Sequence, residues 1–234
     1  MQLSLRLSAI ADMVTEGNRL VDVGCDHGYL PVYLVSEKKI PSAIAMDVRK
    51  GPLSRAQEHI AQFGLEKYIE TRLSDGLEKM APGEGDTLVI AGMGGPLMER
   101  ILTDSASQRE SFQEMILQPQ SDVPHFRHFI RGLGWEIVQE NIILEDGKFY
   151  PMMRVVKADF LPAYTGEEEA YGKLLLERRH PVLKEYLLRE ARIRKEICDR
   201  LEAAPEASSV EARLREVKEE QQLIEAALNR YESI

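Results

Sequence analysis

Five short stretches of this chain carry residues whose types and spacing could do chemistry. The first is VDVGCDHGYLP, residues 21–31. Gly24 and Gly28 allow the backbone to turn tightly and to come close to a ligand. Asp22 and Asp26 set carboxylates beside that turn, with Cys25 and His27 in the same loop. A loop built for a pyrophosphate avoids carboxylates, because they repel it. A ligand with a positive amino group and a sulfonium tolerates or prefers them. Tyr29 also stands where the third glycine of G-x-G-x-x-G would be. The loop therefore points to S-adenosylmethionine and away from NAD, although a tight structural turn with solvated acids has the same glycine pair.

Four further marks follow in order. Asp47, in AMDVRKGP with Val48 beside it, ends a second apolar run. An acid there can accept both ribose hydroxyls of a nucleoside; alone, it is more often a turn or helix cap. In LSDGL, Asp75 offers an acceptor for an adenine 6-amino group, Gly76 exposes a backbone N–H, and Ser74 belongs to the same loop. The plainer reading of Asp75 is an N-cap. In IAGMGG, Gly92, Gly94 and Gly95 leave open space, with Met93 as a flexible apolar wall. The Asn/Asp-Pro-Pro-aromatic string common in amino-group methyltransferases is absent, and open space suits a flat base slipped in from outside. Tight strand-to-helix packing is the alternative. In LQPQ, Gln118 and Gln120 flank Pro119 and offer amide donors and acceptors. All five marks fall at the carboxyl ends of strand-like runs, where open α/β sheets place their ligands.

The elements that must position these residues alternate. Apolar runs RLVDVG, AIAMDV, TLVIAG and MILQPQ read as strands, and the more polar YIETRLS fits as an edge strand. Between them lie helical patterns such as PLSRAQEHIAQFG, with Pro52 in a first turn and Gly64 as a C-cap. This alternation predicts a parallel sheet with helices on both faces. WEIVQENIILED and KFYPMMRVVKAD are separated only by Gly147 and its neighbours, so they must pair antiparallel, since a parallel crossover needs a dozen or more residues. From about residue 167 the composition turns to Glu, Arg, Lys, Leu and Ala. Val210, Leu214, Val217, Gln221, Ile224 and Leu228 follow the four-and-three spacing of a coiled-coil seam. Ile193, Ile197 and Leu201 supply a partner stripe, Pro181 opens the first long helix, and APEASS separates the two. The expected architecture is a Rossmann-like α/β domain over residues 1–160 and a helical hairpin over 161–234.

Composition sets the outer limits. The 234 residues suit one α/β domain plus an appendage, and 44% hydrophobic with 29% charged residues is an ordinary globular balance. No apolar run approaches the roughly 20 residues that cross a bilayer. MQLSLRLSAIADMV lacks a basic start followed by an unbroken apolar core, so no signal peptide is expected. Cys25 and Cys198 make neither a disulfide framework nor a zinc cluster. A net charge of -9 excludes nucleic-acid binding by bulk charge but not by a local basic face. Such a stretch exists in RRHPVLKEYLLREARIRK, which carries Arg178, Arg179, Lys184, Arg189, Arg192, Arg194 and Lys195 against Glu185 and Glu190. A solvated helix face pairing with nearby glutamates is the other reading.

Arg6 and Leu7, DVGCDHGYLP, Asp47 with GPL after it, SDGL, AGMGG and LQPQ together closely resemble the bacterial tRNA adenine-N1 methyltransferases of the TrmK family. The likeness spans the α/β domain, and the helical hairpin matches that family's second domain. Gly28 stands where the family often has Ala, and Gln120 where it often has Asn. The resemblance implies a class I S-adenosylmethionine-dependent enzyme that methylates N1 of adenine 22 in the tRNA D-arm. Adenine N1 has its own lone pair, so no cysteine nucleophile is needed, unlike methylation of a pyrimidine at C5. Asp26 and His27 are the candidates for helping a proton leave the 6-amino group. Arg6, Tyr29, Gln118 and Pro119, with Arg178, Arg179, Arg189 and Arg192, are the candidates for holding substrate. We expect a cytoplasmic monomer that acts on tRNA without metal or membrane. The rival readings are a methyltransferase of another RNA or a small molecule, a non-catalytic RNA-binding adaptor, and an NAD-dependent oxidoreductase.

Overall fold

A computed structural model describes residues 1–205 and 208–232. The chain divides into two compact units, Met1–Leu161 and Pro162–Ile234.

In the first unit, α1 (Leu5–Met13) leads into β1 (Leu20–Val23), a 3-10 turn (Asp26–Gly28) and α2 (Tyr29–Ser36). Then come β2 (Ala43–Asp47), α3 (Lys50–Gln62), β3 (Ile69–Leu73), β4 (Thr87–Met93), α4 (Gly95–Asp104), the short α5 (Ala106–Arg109) and β5 (Glu114–Pro119). The unit closes with α6 (Val123–Gly132), β6 (Trp135–Glu145) and β7 (Lys148–Lys157). The seven strands form one sheet in the order β3-β2-β1-β4-β5-β7-β6. β1 to β5 run parallel, and β7 enters antiparallel to β5 and β6. The order steps outward from β1 in both directions, so the carboxyl ends of β1 and β4 flank the crevice of a doubly wound sheet.

Sequence explains the layering. β1 and β2 are buried along their whole length, as strands covered on both faces must be. β3 fully buries only Ile69 and lies at the edge, as YIETRLS predicts. The β6–β7 link is Asp146-Gly147, both at positive φ (50° and 72°), the conformation a two-residue hairpin turn demands. α3 begins two residues before Pro52, which sits in its first turn, and the chain leaves it through Gly64 at φ +66°. The helix α1 is not expected from the sequence as an element, although it carries Arg6 and Leu7 of the family resemblance. Ser4 caps it by accepting the Leu7 N–H at 3.2 Å. Glu145, at the end of β6, accepts the Leu5 and Arg6 N–H groups at 2.6 and 3.4 Å. A carboxylate at a helix N-terminus is favourable on dipole grounds.

The second unit contains α7 (Gly166–Tyr171), α8 (Lys173–Glu177), α9 (Pro181–Glu202) and α10 (Ser208–Glu232). α9 and α10 run antiparallel: Lys218 pairs with Glu202, Arg194 with Glu220, and the Tyr231 hydroxyl donates to the His180 carbonyl. Leu183, Leu187, Cys198, Val217, Ile224 and Ala227 are buried between the helices of this unit. Ala227, not Leu228, is the fully buried residue in the last turns. Of the break expected at APEASS, Glu206 and Ala207 lie outside the described residues. No helix among the described residues is long and apolar enough to cross a membrane.

Candidate functional site

The chain leaves β1 through Gly24 at φ +78°, where the Gly24 and Cys25 N–H groups both donate to the Met46 carbonyl of β2 at 2.8 and 3.1 Å. A Cβ on Gly24 would collide with the Met93 methyl, so the turns after β1 and β4 touch. Gly28, at φ +66°, packs on Ala56 of α3. Between them His27 also adopts a left-handed conformation, φ 62°, which is uncommon for a residue with a side chain.

Asp22 lies buried in β1, one residue before that strand's end. Its carboxylate has no hydrogen bond or ion pair among the described residues. Burial pushes it up to about 7; the charge of Arg6 opposes the shift and that of Asp47 adds to it. It opens onto a cavity of about 300 Å³. The N-terminal segment supplies Leu3, Ser4, Arg6 and Leu7 to the walls; the first turn supplies Gly24, Cys25, Asp26, Tyr29 and Leu30; β4 supplies Val89 and Ala91. A buried carboxylate without a partner is costly unless a cation meets it. A ligand ammonium group is such a cation.

Arg6 joins α1 to the end of β5. Its Nη1 donates to Gln118 Oε1 at 3.3 Å, and the Gly92 N–H donates to the same oxygen at 3.1 Å. Gln118 Nε2 donates to the Pro119 carbonyl at 3.2 Å, and the Arg6 guanidinium lies 5.8 Å from the Tyr150 ring centre. Gln118 is thereby fixed by three polar partners while wholly buried. Gln120 contributes its N–H to the Met93 carbonyl at 2.8 Å.

The nucleoside marks lie along the ends of β2 and β3. Asp47 is buried; its Oδ1 accepts the Arg49 N–H at 2.8 Å, and its Oδ2 has no partner among the described residues. Val48 next to it is exposed. The Ser74 N–H donates to the Asp47 carbonyl at 2.9 Å. Ser74 Oγ donates to the Gly76 carbonyl at 3.0 Å and accepts the Lys79 N–H at 3.2 Å, so this hydroxyl is spent on its own loop. Gly76, at φ +56°, sits against Ile101 of α4. Asp75 is partly exposed, and both its oxygens are held by Arg100, at 3.0 and 3.3 Å. Gly94 and Gly95 pass close to Ser121, whose hydroxyl accepts the Gly95 N–H at 3.2 Å.

One cavity thus gathers Arg6, Asp22, Gly24, Cys25, Asp26 and Tyr29, and Arg6 links it to Gly92 and Gln118. His27 stands outside the lining, stacked on Tyr29 with ring centres 5.3 Å apart and its Nε2 3.6 Å from Asp26. Cys25 is a poor nucleophile, because burial, with Asp22 and Asp47, raises its thiol far above the ordinary range. Cys198, Arg178, Arg179, Arg189 and Arg192 belong to the second unit. There all four arginines are exposed, and Arg178 and Arg192 have no ion pair among the described residues, whereas Arg194 pairs with Glu190 and Glu220. Among the described residues no group of three or more His, Cys, Asp or Glu could hold a metal. Sequence reasoning missed Leu3, Ser4, Tyr150, Glu145 and Arg100. Ser4 three residues before Leu7 was a readable capping signal; the others act through long-range placement.

The family model described as a methyltransferase domain matches residues 3–153. The chain is 30% identical to the tRNA (adenine(22)-N(1))-methyltransferase of Bacillus subtilis over 98% of both chains. The crystal structure of the B. subtilis M1A22 tRNA methyltransferase TrmK superposes with a TM-score of 0.87 and 28% identity, covering 97% of this chain and 98% of that one. The Streptococcus pneumoniae protein Sp1610 in complex with S-adenosyl-L-methionine gives a TM-score of 0.85 and 31% identity, covering 97% of this chain and 100% of that one.

Proposed function

The chain belongs to the tRNA (adenine(22)-N(1))-methyltransferase family and is an S-adenosylmethionine-dependent enzyme of that activity, and we propose how its residues divide the work. Asp22 binds the ammonium group of the methyl donor. Asp47 binds the ribose through Oδ2, and the turns at Gly24, Gly28, Gly76 and Gly92 to Gly94 supply the close backbone walls. Arg6 and Tyr29 line the cavity and hold the adenine, while Gln118, wholly buried beside the equally buried Pro119, acts behind them by fixing Arg6 rather than by touching the base. The observation that carries this reading is the Asp22 carboxylate, buried without a partner beside a 300 Å³ cavity, because that donor set fits a cationic amino group.

The bound donor supplies an electrophilic methyl on a sulfonium. The chain's own task is positioning. Arg6, fixed by Gln118 and Tyr150, faces the cavity from α1 and offers donors to the base. Adenine N1 attacks with its own lone pair, and holding it in line contributes most of the acceleration. The proton lost from the 6-amino group passes to Asp26 at the cavity wall, with His27 3.6 Å behind it. N1 lies on the Watson–Crick edge, so the adenine leaves any stack or pair before reaction. Residues 1–160 do this chemistry; residues 161–234, as a helical hairpin, grip the tRNA backbone through Arg178, Arg179, Arg189 and Arg192. The protein works as a monomer in the cytoplasm, where tRNA is found.

Mass spectrometry of tRNA nucleosides after incubation with enzyme and methyl donor tests the reading. The expected product is 1-methyladenosine at position 22, with no 5-methylpyrimidine, and folded Cys198→Ser remains active. A different methylated nucleoside would overturn the assignment of the base.

A further inference from the structure

A row of rings leaves the cofactor loop and runs down α3. His27 stacks on Tyr29 with ring centres 5.3 Å apart and planes 18° apart. Tyr29 meets His59 edge-on at 4.9 Å, and His59 meets Phe63 edge-on at 5.1 Å. The row is held rigidly: His59 Nδ1 lies 3.1 Å from the His27 carbonyl, which can only accept, so this nitrogen carries the proton. Yet it is open to solvent, with Tyr29 40% and Phe63 43% exposed. A cluster of half-exposed rings is not needed by the core, which α3 already meets through Leu53, Ala56 and Ile60. Arg55, His59 and Phe63 are four residues apart and share one helix face. Arg55 is exposed and has no ion pair among the described residues. Over residues 49–63 the charged side chains are Arg49, Lys50 and Arg55 against Glu58 alone, in a chain whose net charge is -9.

Resting on the proposed RNA reaction, we propose that His27, Tyr29, His59 and Phe63 form a stacking platform for unpaired tRNA bases beside the target adenine. Solvent-accessible rings on a helix face shared with a cation are what single-stranded RNA requires, since bases stack on rings while phosphates meet guanidinium groups. The platform starts at Tyr29, which also lines the cavity, so it is continuous with the place where the extruded adenine enters. It takes the neighbours of that base and keeps them from re-stacking over the vacated position.

The test pairs a double variant with altered RNA. His59→Leu with Phe63→Leu removes two rings and keeps apolar bulk. It should raise the KM for tRNA about tenfold or more while kcat and S-adenosylmethionine affinity stay unchanged, and replacing Phe63→Leu by Phe63→Trp should recover much of the loss. Wild-type enzyme should likewise bind tRNA with abasic nucleotides flanking the target about tenfold more weakly, a measurement that needs no variant to fold. The double variant should show no further loss on that abasic tRNA. Equal KM values, or undiminished wild-type affinity for the abasic tRNA, would overturn the platform. A fall in methyl-donor affinity in a folded double variant would also overturn it, because the rings would then be buttressing the cofactor loop. Wild-type enzyme that makes no 1-methyladenosine speaks against the reaction, not against the rings.

Discussion

Two strands of one sheet each present an aspartate at or near the carboxyl end, and they treat it in opposite ways. Near the end of β1, Asp22 is buried, without a partner among the described residues, and pushed up to about 7 by that burial. After β3, Asp75 is partly exposed and clamped by both Nη atoms of Arg100. Sequence presents both as ligand-facing acids near a glycine, Asp22 for a cationic group and Asp75 for the adenine 6-amino group. The structure differs because β1 is central and covered on both faces, whereas β3 is the sheet edge, where α4 brings a cation within reach. Charge that a ligand can use is left at the centre; at the edge it is already neutralised.

The sharpest way to break the contrast is to remove the charge at the centre. Asp22→Asn keeps the shape and discards the anion. At pH 8 it should weaken S-adenosylmethionine binding by about 2–3 kcal/mol, the scale of a charge-assisted hydrogen bond in a buried place. Apo stability at that pH should rise, because the uncompensated buried charge is gone. Calorimetry and thermal melts on the same preparation check both. If affinity is unchanged, the ammonium group is held elsewhere.

Proton uptake should do reversibly what the substitution does permanently. A carboxyl whose folded pKa is raised to about 7 from 3.8 favours the apo fold most below its unfolded value, and that contribution is lost as pH rises through 7. The ligand cation reverses the preference by stabilising the anion. Donor affinity should therefore fall by up to about tenfold per pH unit below 7 and level off above it. Asp22→Asn should flatten that dependence. A wild-type profile that is flat between pH 5.5 and 8 would mean that Asp22 is already ionised or that it does not touch the ligand.

Asp47 stands between the two cases: buried like Asp22, but with one oxygen already bound to Arg49 N–H. Asp47→Ala should weaken donor binding by about 1.5–3 kcal/mol. It should also weaken adenosine binding, which Asp22→Asn leaves nearly intact. Titrating both variants with S-adenosylhomocysteine and with adenosine separates the two ends of the ligand; equal losses on adenosine would show that the ends have been misassigned.

Much of this was legible in the residues. Gly24 with Asp22, Asp47 at a strand end and the Gly147 turn rest on local rules, such as positive φ, strand period and connection length, that hold wherever the segment packs. What was not legible depends on where distant segments land. Arg6 was singled out, but the anchoring of its helix α1 was missed because it arises from Glu145, 140 positions from Leu5. The ring row was missed because Tyr29 and His59 are 30 residues apart and meet only through the packing of Gly28 on Ala56. Asp75 read as a free acceptor because Arg100 lies on another element.

That last pair gives the smallest expected effect. The Asp75–Arg100 contact is exposed on both sides, so screening and side-chain entropy cancel most of its Coulomb energy. Arg100 also touches Asp104, so its removal frees two carboxylates together. If Asp75 accepts the adenine 6-amino group, Arg100 only orients it. Arg100→Ala should then change donor affinity by about fivefold or less. Its salt dependence is the more telling readout, because an exposed pair matters less as salt rises. Wild type and variant should converge between low salt and about 0.5 M. A loss that persists at high salt would mean that Asp75 is useful only when clamped, and that the edge turn is as much part of the binding machinery as the turn at the sheet's centre.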